Sequence, residues 1–374
     1  MIVRGSFYKS TYFKVIAIKL ELYQLFLLSK KQNSNFMNKS AKENYNLGMH
    51  FITGLESYTL QDNEKSLLAK IKPIGLIFFA RNFDTLSGNA SDWRSTFKKL
   101  IADAEEASEG SIKILSIDYE GGRVHRFPAE VKQFPYANEW CDKSSEVASE
   151  MADILSGLSI NMSYGPVLDL DLESSNPVIG PRAFSSDPEI VIRAAKEFFH
   201  SFNEKGLLTC GKHFPGHGRT SVDSHLELPV VDISREELEM DLAPFKSLIE
   251  EGIPCIMSAH VVYPHIDPLM PASLSHRILT GLLREELGFD GIIFTDDLDM
   301  KALSHYSNSE KSKIALKAGS DILLVGNGMD GKALETCDQI MSELNKEIIS
   351  NSDFQEILQR SRNRIDVVLS KNGI

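Results

Sequence analysis

Gly206-Leu207-Leu208-Thr209-Cys210 runs directly into Gly211-Lys212-His213-Phe214-Pro215-Gly216-His217-Gly218, and this junction sets the reading of the whole chain. The first run carries no charge and suits a buried strand. Titratable groups then crowd onto the loop, which continues as Arg219-Thr220-Ser221-Val222-Asp223-Ser224-His225. Segments with helical character lie before it (187–205) and after it (234–250). Strand, polar loop and helix make one βα unit of a parallel sheet. Polar groups just beyond the strand are where such folds place their chemistry.

Working outward, the same unit recurs. Short apolar runs appear at 48–53, 75–79, 112–117, 161–167, 207–210, 254–258, 291–295 and 321–325. Longer amphipathic stretches separate them, including 92–107, 187–205, 234–250, 276–287 and 309–318. Several of these open on a capping residue and some close on glycine, as at Lys205-Gly206 and Leu287-Gly288. Near-continuous apolar strands alternating with amphipathic helices predict a parallel sheet covered on its outer face. Eight such units predict an α/β fold, a (β/α)8 TIM barrel with a helix or two after the last strand. An open doubly wound sheet competes, but no Gly-rich dinucleotide turn follows the early strands.

A barrel carries its own check, because catalytic groups should stand just past the strand ends. Asp118-Tyr119-Glu120 follows the third run, Asp169 and Asp171 the fourth, and Lys212-His213 the fifth. His260 follows the sixth, Asp296-Asp297 the seventh and Asn327 the eighth. In a regular strand extension, consecutive residues point to opposite faces. At most one of Asp296 and Asp297 should therefore face the mouth. Asp296 is expected there as nucleophile or base, with Asp297 as the alternative, and the other of the two is left to cap the next helix.

His225 is the natural proton donor and acceptor, since an imidazole titrates at about 6.5. Asp223 is spaced to orient it, or else to staple the loop. Asp118, Arg126, Arg182, Lys212 and His213 are candidates for holding sugar hydroxyls by charge-assisted hydrogen bonds. Gly121-Gly122 lets backbone approach a ligand or makes a turn. Trp93 and Trp140 are expected in packing rather than in sugar stacking.

Composition bounds the rest. The chain has 374 residues, 42% of them hydrophobic and 25% charged, which is ordinary for a globular protein. A net charge of -12 without a basic stripe argues against a nucleic-acid partner. Cys141, Cys210, Cys255 and Cys337 form no CxxC pair, and their usage suits a reducing compartment. Residues 12–28 are hydrophobic, but Lys14, Lys19 and Glu21 interrupt them. The longest uncharged piece, 22–29, is too short for a membrane span. Residues 30–45 read as a polar linker, and Met37 is an alternative start. Residues 1–46 are thus expected to be an extension, disordered or non-native in origin, with a poor membrane anchor as the other reading. Residues 47–374 are expected to form one catalytic domain.

Five ordered motifs resemble one known family. They are Asp118-Tyr119-Glu120-Gly121-Gly122-Arg123-Val124-His125-Arg126, Gly180-Pro181-Arg182-Ala183-Phe184, Lys212-His213-Phe214-Pro215-Gly216-His217-Gly218, Asp223-Ser224-His225, and Gly288-Phe289-Asp290-Gly291 through Thr295-Asp296-Asp297-Leu298. Together they resemble glycoside hydrolase family 3, specifically its single-domain β-N-acetylglucosaminidases of bacterial peptidoglycan recycling. The resemblance implies retaining hydrolysis of terminal, non-reducing β-linked N-acetylglucosamine. It implies Asp296 as nucleophile, His225 with Asp223 as acid/base on a mobile loop, and Asp118, Arg126, Arg182, Lys212 and His213 as sugar-binding positions. It also implies a small carbohydrate or muropeptide substrate, with no cofactor, metal, nucleic-acid or membrane partner, and a monomeric, cytoplasmic enzyme. Tyr119 stands where Gln is more usual and Pro181 where Glu is common.

Three other functions compete. A phosphorylase is compatible with a neutral His225, which would not repel incoming phosphate. A metal-dependent hydrolase would draw on His213, His217, Asp223 and His225, although their spacing matches no zinc pattern and Lys212 would repel a cation. A non-catalytic sugar-binding barrel would have no reason to keep Asp296 together with Asp223 and His225.

Overall fold

The structure, a computed structural model, describes residues 45–85, 90–224, 226–327 and 331–374. Expectations for residues 1–44, including the Met37 start and the anchor, lie outside the described residues. Those for His225 do as well.

Eight parallel strands follow one another around the sheet: β1 (Phe51–Gly54), β2 (Gly75–Phe78), β3 (Ile114–Ile117), β4 (Met162–Ser163), β5 (Leu208–Phe214), β6 (Cys255–Ser258), β7 (Ile292–Thr295) and β8 (Leu323–Val325). β8 pairs with β1 through Phe51 and Leu323. On its other side it meets β7 through a parallel bridge between Phe294 and Ile322. The sheet therefore closes on itself, and the open doubly wound alternative falls. Closure leaves no strand edge to protect.

All these strands are buried on both faces, as their apolar runs require. Alternation sorts their side chains into two layers. Ile52, Ile77, Ile114, Leu208, Cys210, Cys255, Met257, Ile292, Phe294 and Leu324 fill the barrel interior. Phe51, Leu76, Phe78, Leu115, Ile256, Ile293 and Leu323 point outward against the helices. Burying each large side chain stabilises the fold by roughly 1.5–3 kcal/mol relative to exposure.

The outer layer contains α1 (Asp62–Ile71), α2 (Ala90–Ala107), α3 (Ser144–Gly157), α4 (Pro188–Glu204), α5 (Arg235–Glu250), a π-helical segment (Arg277–Glu286), α6 (Asn308–Ala318), α7 (Ala333–Ser350) and α8 (Ser352–Lys371). Local chemistry sets their ends. Asp187 caps α4, which opens on Pro188. Ser234 with Glu237, and Ser307 with Glu310, form capping boxes on α5 and α6. Helix α4 shows why such segments dock: Val191, Ala194, Ala195, Phe198, Phe199 and Phe202 form its buried face.

Below the strands, Ile365, Val368 and Leu369 of α8 join the interior core and close the floor. Asp321 locks this floor, accepting from Arg284 at 2.5 Å and from Arg364 at 2.7 and 3.0 Å.

Several strand bounds differ from expectation: the run 161–167 yields only Met162–Ser163, and two other differences have local causes. Residues 47–50 form a 3-10 turn, because Asn46 Oδ1 caps the amide of Gly48, so β1 starts at Phe51. Strand β5 continues through Lys212 and His213 to Phe214, where the sequence pattern ends it at Cys210. Pairing with β6 draws these polar residues into the sheet. Trp93 and Trp140 are 2% and 5% exposed, packed in the core as expected. All four cysteines are free, with Cys210, Cys255 and Cys337 buried. Among the described residues no helix is long and apolar enough to cross a membrane.

Candidate active site

A cavity of about 530 Å³ opens at the C-terminal ends of the strands. Its walls include Asp118, Arg126, Arg182, Lys212, His213, Asp223 and Asp296. Seven of the eight sites expected from sequence thus meet in one place; the eighth, His225, lies outside the described residues.

The strand ends bring them there. Register between β5 and β6 shifts between Lys212 and Phe214, so both Lys212 and His213 line the cavity despite being neighbours in a strand. Gly121 and Gly122, both at positive φ, form the turn of a short hairpin (Tyr119–Gly121 with Val124–His125). The hairpin returns the chain so that Arg123 and Arg126 also reach the cavity. Gly218 serves the loop after β5, since a Cβ there would stand 1.7 Å from Leu170 O.

On one wall, four charges alternate. Arg182 donates to both oxygens of Glu120 at 2.8 Å, and Lys212 Nζ lies 2.6 Å from Glu120 Oε1 and 2.9 Å from Asp118 Oδ1. Glu120 and Lys212 are only 7% and 3% exposed. Burial alone would neutralise them, but Arg182 and Lys212 hold the Glu120 carboxyl well below the usual range. Burial likewise pulls Lys212 down, yet Asp118 and Glu120 outweigh it and keep the ammonium charged. With two cations and two anions the wall is balanced. Arg126 differs: its Nε is shielded from solvent with no hydrogen-bond partner among the described residues. A ligand oxygen would satisfy it.

A second set holds the base of the loop. Asp169 Oδ2 takes a 2.6 Å contact from His213 Nδ1, and Asp169 Oδ1 accepts the backbone amide of His217 at 2.7 Å. His217 in turn lies 3.0 Å from both Ser224 Oγ and Thr220 Oγ1. Burial, with His213 adding to it, lowers the pKa of His217 to about 4, so this ring is neutral. Ser224, 1% exposed, also accepts the amide of Ala302 from the β7 side. Arg219 pairs with the buried Asp241 of α5 at 2.9 Å.

Asp296 stands at the end of β7. Burial favours its neutral form, but His213 and the amide of Asp297, 2.8 Å from Asp296 Oδ1, hold the carboxyl below its ordinary range. Both Asp296 and Asp297 line the cavity, against the alternation expected of an extended strand. The reason is local: β7 ends at Thr295 and the chain turns. Asp297 does not cap the following helix either, a task taken by Ser307. Its Oδ1 accepts the amides of Asp299 and Gly326, at 3.1 and 3.3 Å, tying the β7 loop to the end of β8. Burial, reinforced by Asp299, pushes Asp297 up to about 7.

Four buried groups at the site, Glu120, Asp169, His217 and His260, are absent from the set that sequence assigned to catalysis or binding. Three of them stand just past strand ends, and His217 sits inside the decisive loop. That position was the available signal. It does not tell a group facing the ligand from one facing another side chain. Among the described residues no cluster of His, Cys, Asp and Glu is placed to hold a metal ion.

A closed (β/α)8 barrel with an ionised carboxylate among cationic side chains in the cavity at its mouth defines the class: a barrel enzyme. The model described as glycosyl hydrolase family 3 N terminal domain matches residues 23–363. The chain belongs to that family and is a glycoside hydrolase.

A beta-hexosaminidase of Neisseria meningitidis serogroup C (strain 053442) is 38% identical over 290 residues, 74% of this chain and 77% of its own. Among solved structures, a family 3 β-N-acetylglucosaminidase from Paenibacillus sp. str. FPU-7 superimposes with a TM-score of 0.80 at 32% identity, covering 89% of this chain. The match spans 62% of the Paenibacillus chain, less than two thirds of it. NagZ from Neisseria gonorrhoeae, solved in complex with N-trifluoroacetyl-D-glucosamine, has a TM-score of 0.68 at 33% identity, covering 86% of this chain and 97% of its own.

Proposed function

We propose that this protein removes terminal, non-reducing β-linked N-acetylglucosamine from muropeptide-type substrates by retaining hydrolysis. The observation that carries the reading is one cavity holding the ionised Asp296 together with Asp223 and Ser224, the two residues that precede His225 in the chain. The beta-hexosaminidase relatives and the sugar-analogue complex of NagZ support the substrate class.

In this reading Asp296 attacks the anomeric carbon while His225 protonates the departing oxygen. A covalent glycosyl-aspartate forms, and His225 then takes a proton from water, which releases the sugar with its configuration retained. Asp223 orients the imidazole. Asp118, Arg126, Arg182, Lys212 and His213 hold the sugar. Lys212 spends two hydrogen bonds on Asp118 and Glu120 and keeps a third donor for a hydroxyl, while Arg126 offers its unpaired Nε. The expected setting is a monomer in the cytoplasm, acting without metal or cofactor.

A fluorinated N-acetylglucosaminide should trap the enzyme, and peptide mapping should place the label on Asp296. Asp296→Asn should lower turnover of an aryl β-N-acetylglucosaminide on the order of 10⁴-fold or more. Label on another residue, or full activity in that variant, refutes the assignment. Added phosphate should leave the rate and the products unchanged; release of a sugar 1-phosphate would make the protein a phosphorylase.

A further inference from the structure

We propose that His260, which does not line the cavity, is a positioning residue that sets the orientation of Asp296 through the backbone of Asp297. The inference rests on the reading of Asp296 as nucleophile.

His260 is fully buried just beyond β6. Its Nε2 lies 3.0 Å from the carbonyl oxygen of Asp297, and its Nδ1 lies 2.7 Å from Ser273 Oγ. A carbonyl only accepts, so Nε2 carries the proton and donates. Burial disfavours the charged ring. In the neutral ring Nδ1 then accepts from the Ser273 hydroxyl, which steadies the ring. Asp297, held by its carbonyl, donates its own amide to Asp296 Oδ1 at 2.8 Å. The ordered chain is Ser273 to His260, His260 to Asp297, and Asp297 to the carboxylate.

The arrangement answers a need specific to this position. Asp296 follows the last residue of β7, where the chain leaves the sheet, and one ladder bond remains, from its amide to Ser258 O at 3.1 Å. Beyond it the peptide between Asp297 and Leu298 keeps one tie to the sheet, from the Leu298 amide to Leu324 O of β8 at 2.9 Å. Asp297 sits in the turn, where its carbonyl accepts the Met300 amide at 3.1 Å, and His260 adds a buried side-chain donor to that same oxygen. Attack on an anomeric carbon tolerates little misplacement, so a side chain that cannot touch the substrate still governs the rate.

The experiment compares His260→Leu, His260→Gln and Ser273→Ala with the unaltered protein on an aryl β-N-acetylglucosaminide. His260→Leu should lower kcat on the order of 100-fold with KM changed little, and should slow labelling of Asp296 by the fluorinated sugar in parallel. His260→Gln, whose amide can reach the same carbonyl, should recover much of the loss. Ser273→Ala, which removes the hydrogen bond that steadies the ring at Nδ1 while leaving the imidazole in place, should lower kcat with KM unchanged and decides the matter if His260→Leu does not fold. Wild-type kcat in His260→Leu or in Ser273→Ala overturns the inference. So does a rise in KM matching the fall in kcat/KM, or no recovery in a folded His260→Gln. Failure to label Asp296 in the unaltered protein would instead overturn the nucleophile assignment itself.

Discussion

Asp169 Oδ2 stands 2.6 Å from His213 Nδ1, and the same carboxylate accepts the backbone amides of both His213 and His217. One buried side chain thereby fixes a residue of the cavity wall and the first turn of the loop that leads to Asp223.

Replacing that anchor should cost both stability and activity. Asp169→Ala leaves buried donors unpaired, and removing one member of such a pair costs about 3–5 kcal/mol. Burial works to raise the Asp169 pKa, but His213 and the bonds around it hold it depressed. The sign follows: its contribution is complete above the unfolded value of about 4 and disappears as pH falls through the lower folded value. Denaturant titrations at pH 7 and pH 3 should show the variant's deficit large at the first pH and much reduced at the second.

Glu120 bridges Arg182 and Lys212, so Glu120→Ala strands two buried cations. The expected loss is again about 3–5 kcal/mol, with a raised KM because Lys212 is no longer held against the cavity wall. Glu120→Gln keeps an acceptor and should lose less. Urea unfolding and steady-state kinetics check both.

Asp297 behaves oppositely to its neighbour. Its folded pKa is pushed up to about 7 by burial and by Asp299. Between the unfolded value of about 4 and that folded value the native state holds a proton the unfolded chain has released, so stability falls as pH rises across this window. Asp297→Asn keeps an acceptor for the amides of Asp299 and Gly326 and removes the titration. The variant should gain more stability relative to the unaltered protein at pH 8 than at pH 5, read from thermal or urea unfolding at each pH.

Ser224 links the loop to His217 at 3.0 Å. Ser224→Ala should cost about 1 kcal/mol of stability, the usual net worth of one hydrogen bond. It should also lower kcat more than it raises KM, because the chain on either side carries Asp223 and His225. An unchanged kcat would remove Ser224 from any part in placing the loop.

The strand positions show what was readable and why. An apolar run such as 292–295 states its burial directly, since parallel strands sandwiched between interior and helices must be apolar on both faces. The polar residue after each run then falls at the mouth by geometry. Glu120 and Asp169 could not be told from Asp118 and Asp296 in this way. A carboxylate's task depends on which cation or amide faces it, and those partners come from other strands. Asp297 shows a second limit. Alternation predicts its direction only while the strand continues, and the strand stops at Thr295.

By itself the sequence determined the barrel, the end of it that carries the chemistry, and the motifs of a family 3 glycoside hydrolase. Those properties are written in local patterns: apolar period, caps, turns and the order of motifs. Only the tertiary structure decided that Glu120 balances Arg182 with Lys212, that Asp169 anchors two histidines, and that His260 reaches the backbone beside Asp296. Each of these rests on distance and burial between residues far apart in the chain, quantities that arise only once the sheet has closed.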